Sequence, residues 1–139
     1  MNREIKFKAW LKNRNKMVEV TEIDFIGQKQ IAYDEIEYRY TDKDPFHFTQ
    51  WVDFDEIELL QYVGIKDKNG VQIYEGDIVQ WCGNKMEIFW GEDIGCGYGF
   101  CWRNIKGDSY YHESMTGFID EYEVIGNIYK NKELLENVD

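Results

Sequence analysis

The sequence predicts a mainly β protein, and three observations lead to that class. Apolar side chains alternate with polar ones at a spacing of two along most of the 139-residue chain, as they do in half-buried strands. Asn69 and Gly70 form a pair that is typical of a β-hairpin turn. Aromatic residues make up 17% of the chain, which has a single proline, so we expect an ordered and compact fold.

The first half of the chain contains four predicted strands. They lie at residues 5–9, 18–20, 36–40 and 46–52. The polar segment KNRNK, residues 12–16, has the composition of a hairpin loop, which makes the first two strands antiparallel. Residues 53–61 fit either a short helix begun by Asp53 or a strand, and we expect a strand from about Leu59.

The segment GIKDKNGVQIYEGDIVQW, residues 64–81, contains two turn signals. Asn69 and Gly70 predict a type I′ turn, because both central positions of that turn need positive φ. In the second reversal, Gly76 supplies a left-handed residue and Asp77 binds backbone amides through its side chain. These roles are structural, so the segment needs no substrate to explain it.

The remaining elements are short. Strands are predicted at residues 78–81, 86–90, 99–103 and 124–129. A short C-terminal helix is predicted over NKELLEN, with Asn131 as its cap and Glu133 as a good helix former.

The cysteines and histidines do not have the spacing of a metal site. Cys82, Cys96, Cys101 and His112 are separated by thirteen, four and ten residues, whereas structural zinc ligands come in close pairs. Nothing in the sequence orients Cys101 and His112 as a nucleophile and its base. We therefore expect free thiols in a reducing compartment and no metal.

Other patterns also fail to predict chemistry. The glycines of GCGYGF, residues 95–100, are followed by strand-forming residues and not by the helix of a phosphate loop. The carboxylate pairs Asp53 with Asp55, and Asp120 with Glu121, have the pattern of a solvated acidic surface. The sequence thus predicts no catalytic residue, no cofactor and no enzyme activity.

The net charge of −11 is distributed unevenly. Residues 1–18 carry six basic side chains and one acidic one, whereas residues 19–58 carry twelve acidic and three basic ones. An acidic protein repels phosphate backbones, so free nucleic acid is a poor candidate partner. The basic residues Lys6 and Lys8 alternate with apolar residues, which is the pattern of the solvated side of a strand.

Four segments resemble the YopX-like family. They are REIKFKAW (3–10), NKMV (15–18), LLQYVGIKDKNGVQIYEGDIV (59–79) and EVIGNIYKNKELL (123–135), which together contain 46 of the 139 residues. Members of that family are small proteins of bacteriophages and prophages. The resemblance implies an SH3-like β-barrel over residues 59–139, preceded by a β-rich extension over residues 1–58, packed as one compact unit. It implies no enzyme activity and supplies no ligand residues to carry over.

One segment outside this resemblance is a candidate partner-binding site. FTQWVDFDEIE, residues 48–58, mixes aromatic rings with carboxylates. Its candidate residues are Trp51, Asp53, Phe54, Asp55, Glu56 and Glu58. Exposed rings surrounded by charges make binding hot spots, whereas the alternative is that Trp51 and Phe54 fill the core.

These features predict a protein-interaction module that binds a host or phage protein, with nucleic-acid mimicry as a special case. The alternative is a nucleic-acid-binding barrel that uses Lys6, Lys8 and Lys12 of the basic first strand. Exposed strand edges also predict a homo-oligomer. The chain has no apolar run of membrane-spanning length, and its start is too charged for a signal peptide, so we expect it in the bacterial cytoplasm.

Overall fold

The computed structural model describes residues 4–37, 46–81, 83–93, 97–104, 113–114 and 122–135. Strands dominate these residues, which confirms the predicted mainly β class. The chain divides into two units by its contacts. We call residues 6–59 the N-terminal unit and residues 60–139, together with residues 1–5, the C-terminal unit. In the part of the chain that is described, no helix is long and apolar enough to cross a membrane.

The N-terminal unit contains five strands and the start of a sixth. They are β1 (Phe7–Leu11), β2 (Lys16–Glu19), β3 (Glu22–Asp24), β4 (Gln30–Glu37), β5 (Phe46–Asp53) and β6 (Ile57–Lys66), the last of which continues into the C-terminal unit. β1 and β2 form the predicted antiparallel hairpin, with Ala9 opposite Val18. β3, β4 and β5 form an antiparallel sheet with β4 in the centre.

The core of the N-terminal unit is made by apolar residues that alternate along these strands. Its buried members are Ala9, Leu11, Val18, Ile31, Tyr33 and Ile57. Half-buried side chains, including Val52 and Phe54, pack against them. The spacing of two places these residues on one side of each strand, and burial of that side stabilises the sheet.

The C-terminal unit contains the remainder of β6 and six further strands. They are β7 (Gln72–Tyr74), β8 (Asp77–Trp81), β9 (Asn84–Asp93), β10 (Gly97–Asn104), β11 (Glu113–Ser114) and β12 (Glu123–Asn127). β6 pairs with β7, and the other five form a sheet in the order β11-β10-β9-β8-β12. Its core consists of Val63, Ile73, Val79, Met86, Ile88 and Tyr122.

The hairpin between β6 and β7 forms where the sequence predicts it, but the type I′ prediction is wrong. Gly70 has φ +83°, whereas Asn69 is not among the residues with positive φ. The Gly70 N–H donates to the Asp67 carbonyl at 3.0 Å, and the Asp67 N–H donates to the Val71 carbonyl at 2.7 Å. This is a three-residue loop that closes on a left-handed glycine, which is the next most common hairpin type.

The second reversal forms as predicted. Gly76 has φ +86° between β7 and β8. The Tyr74 N–H donates to Asp77 Oδ2 at 2.8 Å, and the buried Asp77 begins β8. The aspartate therefore closes the turn through its side chain, which is a local structural role.

Three further predictions differ from the structure or are resolved by it. The predicted C-terminal helix is only a 3₁₀ turn at Lys132–Leu135, because so short a segment gains too few hydrogen bonds to repay helix nucleation. Residues 53–61 contain the last residue of β5, a 3₁₀ turn at Phe54–Glu56 and the start of β6 at Ile57, so the strand expected from about Leu59 forms and begins two residues earlier. The strand predicted at residues 36–40 overlaps only the end of β4, and residues 38–40 lie outside the described part of the chain.

Candidate partner-binding surface

The sheet of β3, β4 and β5 has one side toward the N-terminal core and one side away from it. Residues paired across antiparallel strands share a side, and alternate residues along each strand share it too. The pairing places ten residues on the side away from the core: Glu22, Asp24, Gln30, Ala32, Asp34, Ile36, His47, Thr49, Trp51 and Asp53. We call this side the acidic sheet face.

The acidic sheet face carries charge of one sign. Four of its ten residues are carboxylates, namely Glu22, Asp24, Asp34 and Asp53, and none of the ten is lysine or arginine. Because all four project from one small sheet, their fields add and disfavour an anionic partner. A cationic partner would meet a favourable potential there.

Trp51 is the large aromatic side chain of this face. It lies opposite Ala32, which is fully buried, and Ala32 is in turn opposite Glu22. The indole ring of Trp51 is 47% exposed. In the next row, Gln30 Nε2 donates to Asp53 Oδ1 at 2.7 Å. Trp51 is therefore the neighbour of Asp53 on this face of β5, and Glu22 lies in the same row two strands away.

The loop between β3 and β4 is held by one carboxylate. Asp24 accepts backbone N–H bonds from Gly27 at 2.8 Å, Gln28 at 2.9 Å and Ile26 at 3.3 Å. Hydrogen bonds from the Gln28 and Gly27 amides hold the pKa of Asp24 below its ordinary value. The carboxylate therefore stays ionised and the loop stays formed at neutral pH.

This loop presents two apolar side chains to solvent. Ile26 is 93% exposed, and Phe25 is also exposed while its ring makes an edge contact with Phe54 at a centroid distance of 6.0 Å. A Cβ at Gly27 would lie 2.7 Å from Asp24 Oδ2, so any residue other than glycine would push this carboxylate aside. The loop is a preorganised apolar tip beside the acidic sheet face.

The six candidate residues of the sequence do not form one surface. Trp51 and Asp53 lie on the acidic sheet face, but Phe54 is half-buried and packs against the N-terminal core. The core alternative therefore applies to Phe54 and not to the exposed Trp51. Asp55 and Glu56 are exposed on the 3₁₀ turn. Glu58 is exposed in β6, with Lys12 Nζ 3.5 Å from its Oε1.

Sequence reasoning missed the part of the surface that the β3–β4 hairpin contributes. The exposed Phe25 and Ile26 belong to this part, as do the carboxylates Glu22, Asp24 and Asp34. The signal was the segment DFIG, residues 24–27, in which an aspartate three residues before a glycine is typical of a side-chain-capped loop.

The basic first strand lies among acidic groups of the same unit. Lys8 is opposite Glu19 in the β1–β2 pairing, and Lys12 lies near Glu58. Arg14 donates to Glu35 Oε1 at 2.8 Å and to the Tyr33 hydroxyl at 2.7 Å. The Arg14 hydrogen bond lowers the pKa of Glu35 and keeps that carboxylate ionised beside the guanidinium.

Described residues of the N-terminal unit line clefts on both sides of the sheet. One, of about 420 Å³, is lined by β2 residues together with Asp34, Ile36 and His47, so it borders the acidic sheet face. The other, of about 280 Å³, is lined by Arg14, Tyr33 and other residues on the core side.

The residues of the rejected zinc site, nucleophile pair and carboxylate pair lie mostly outside the described part of the chain. Cys82, Cys96, His112 and the pair at 120–121 lie there, and Cys101 lies in β10. Within the described ranges, no group of three or more metal-ligating side chains occurs.

These observations define a small, mainly β protein with an acidic, aromatic sheet face. The family model described as YopX protein matches residues 6–136, so the chain belongs to the YopX family and the resemblance in its sequence is confirmed. The crystal structure of protein EF1440 from Enterococcus faecalis is similar, with a TM-score of 0.60 and 27% identity. That similarity covers 97% of this chain and 100% of the other. No match was found among curated proteins.

Proposed function

We propose that the protein is a non-enzymatic interaction module that binds a host or phage protein through the acidic sheet face. The observation that carries the proposal is the exposed Trp51 ring among carboxylates on one sheet side. The proposed place of action is the cytoplasm of a bacterial host. The exposed loop tip at Phe25 and Ile26 adds apolar area next to this face.

In this proposal the Trp51 ring supplies most of the binding free energy, and the carboxylates of the acidic sheet face have a different role. Tryptophan is among the residues that dominate interface energies, and truncation of such a hot spot costs about 2 kcal/mol or more. The carboxylates of the face contribute to the association rate and to the orientation of the partner, and their effect weakens as salt increases. Binding through this face is therefore expected to depend strongly on Trp51 and moderately on ionic strength.

Nucleic-acid binding through the basic first strand has less support. Lys8 and Lys12 lie beside Glu19 and Glu58, so their charges are partly compensated. The net charge of −11 also opposes the approach of a phosphate backbone. A basic nucleic-acid-binding protein, whose groove would accept carboxylates in place of phosphates, is instead one kind of partner that suits the acidic sheet face.

The test is affinity capture of the tagged protein from host lysate, with and without nuclease. We expect the tagged protein to capture a stoichiometric partner protein that remains bound after nuclease treatment. The Trp51→Ala variant should no longer capture this partner. The matched control is Val71→Ala, which removes an apolar side chain of similar exposure, 48%, from the C-terminal unit. Capture that is unchanged by Trp51→Ala, or lost equally in both variants, would contradict the proposal. Recovery that disappears with nuclease, and with Lys6, Lys8 and Lys12 replaced by glutamine, would support the basic-strand alternative.

A further inference from the structure

β5 is an edge strand in the described structure. The sheet order is β3-β4-β5, and all eight residues of β5 have a partner on β4 without a register shift. No other described strand pairs with β5. Eight residues span about 26 Å, which is long for a strand whose second side meets no other strand in the described part of the chain.

The sequence of β5 lacks the residues that usually protect such an edge. The segment FHFTQWVD contains no lysine, arginine or proline, and Asp53 at its end is its only carboxylate. The opposite edge of the same sheet, β3, has only three residues, two of which are carboxylates. Short or charged edges discourage pairing, whereas a long, flat and uncharged edge invites it.

We propose that the edge of β5 accepts an extended, arginine- or lysine-bearing segment of the partner protein as an additional antiparallel strand. This inference rests on the proposed function and specifies the chemistry of the partner. In strand addition the main chain supplies hydrogen bonds, and alternate side chains supply specificity. Alternate residues of the added strand lie next to the β5 residues of the acidic sheet face, namely His47, Thr49, Trp51 and Asp53.

The charge of that face selects a cationic occupant. A guanidinium or ammonium group on the added strand reaches the Trp51 ring, which attracts cations through its π face, and the nearby Asp53 carboxylate. Asp34, Asp24 and Glu22 lie on the same face of the neighbouring strands and add to the attraction. A second copy of this chain is less suitable, because it would bring two acidic sheet faces together.

The first experiment uses the full chain and an eight-residue probe peptide of alternating threonine and arginine. The matched control peptide alternates threonine and glutamate. We expect saturable binding of the arginine peptide only, weakened by added salt. Asp53→Asn should weaken this binding about two- to fivefold, the range for exposed ion pairs. Asp55→Asn removes the same charge from the 3₁₀ turn and should leave the affinity unchanged.

Hydrogen exchange then shows where the peptide binds. Bound arginine peptide should slow exchange of the backbone amides in residues 46–53 that point away from β4. Equal binding of the glutamate peptide, or binding without protection of β5, would overturn the inference. In the peptide-free protein, protection of the β5 amides could instead increase with protein concentration. That result would assign the edge to a second copy of the chain and would also overturn the inference.

The two proposals can fail separately. If the captured partner depends on Trp51 but does not protect β5 amides in the complex, the interaction module stands and strand addition is wrong. If the partner is captured equally well by Trp51→Ala, the interaction surface itself is wrong.

Discussion

The buried Asp67 carboxylate accepts a hydrogen bond from the Val124 backbone amide at 2.9 Å, between residues 57 positions apart. Its other oxygen accepts the N–H groups of Asn69 at 2.8 Å and Val71 at 2.9 Å. One side chain therefore holds the β6–β7 turn and connects it to β12. Because the aspartate is only 6% exposed, water cannot readily replace these bonds.

Asp67→Asn is expected to destabilise the protein by about 1–3 kcal/mol, the cost of leaving a buried donor without an acceptor. Asparagine has a single acceptor oxygen, so its NH₂ group must face at least one of the three backbone N–H groups. Chemical denaturation measures the change. Asp55→Asn is the control, because it removes an exposed carboxylate, and an equal effect of the two substitutions would contradict the assigned role.

The contribution of Asp67 should depend on pH. Burial raises the pKa of this carboxyl group, but the amides of Val124, Val71 and Asn69 outweigh burial and leave the pKa below its ordinary value of 3.8. Protonation is therefore easier in the unfolded state. The stability that Asp67 contributes is present above the unfolded pKa and is lost as pH falls through the lower folded pKa.

Denaturation of the wild-type protein and Asp67→Asn at several pH values measures this dependence. The difference in their unfolding free energies should be constant at neutral pH and should shrink below about pH 4. A difference that stays constant into strong acid would show that the ionised carboxylate is not the stabilising species.

Gly76→Ala and Gly70→Ala separate backbone strain from steric crowding. Both glycines have positive φ, +86° and +83°, so each alanine costs about 1 kcal/mol in backbone strain. A Cβ at residue 76 would also lie 3.1 Å from Tyr129 Cε2. A Cβ at residue 70 would have no described heavy atom within 4 Å beyond its chain neighbours. We expect Gly76→Ala to lower the free energy of unfolding more than Gly70→Ala. Equal losses would show that Tyr129 moves aside without cost.

Asp24→Ala should loosen the β3–β4 loop locally. The substitution removes the acceptor for the amides of Gly27 and Gln28, so these amides should exchange with solvent faster. Glu22→Ala removes a carboxylate from the same strand and should leave their exchange unchanged. Unchanged protection in Asp24→Ala would show that the loop does not need this carboxylate.

The elements predicted well are those whose signals are local. The β1–β2 hairpin and the Gly76–Asp77 reversal form where alternation and turn residues place them. The β3–β4 hairpin was missed, because its loop is closed by the Asp24 side chain and lacks a standard two-residue turn signal. The turn at Asn69 has the wrong predicted type, because Asp67 selects a different loop while it also binds Val124.

Trp51 and Phe54 show why the candidate site was only partly predictable. Both residues lie in one aromatic and acidic segment, yet Trp51 is exposed in β5 and Phe54 packs against the core after the strand ends. The strand end and the 3₁₀ turn decide this difference. Spacing alone cannot show which side of a strand meets the core when its neighbours in the sheet are unknown.

The sequence by itself determined the mainly β class, the family and the acidic character. Alternation, turn residues and charge can all be identified from the order of the residues without knowing which distant segments pair. Only the tertiary structure decided which residues share the acidic sheet face and that β5 is at the edge of its sheet among the described strands. The physical reason is that a sheet is formed by backbone hydrogen bonds between distant segments. Strand order and register therefore set the side on which each residue lies, and no local pattern specifies that pairing.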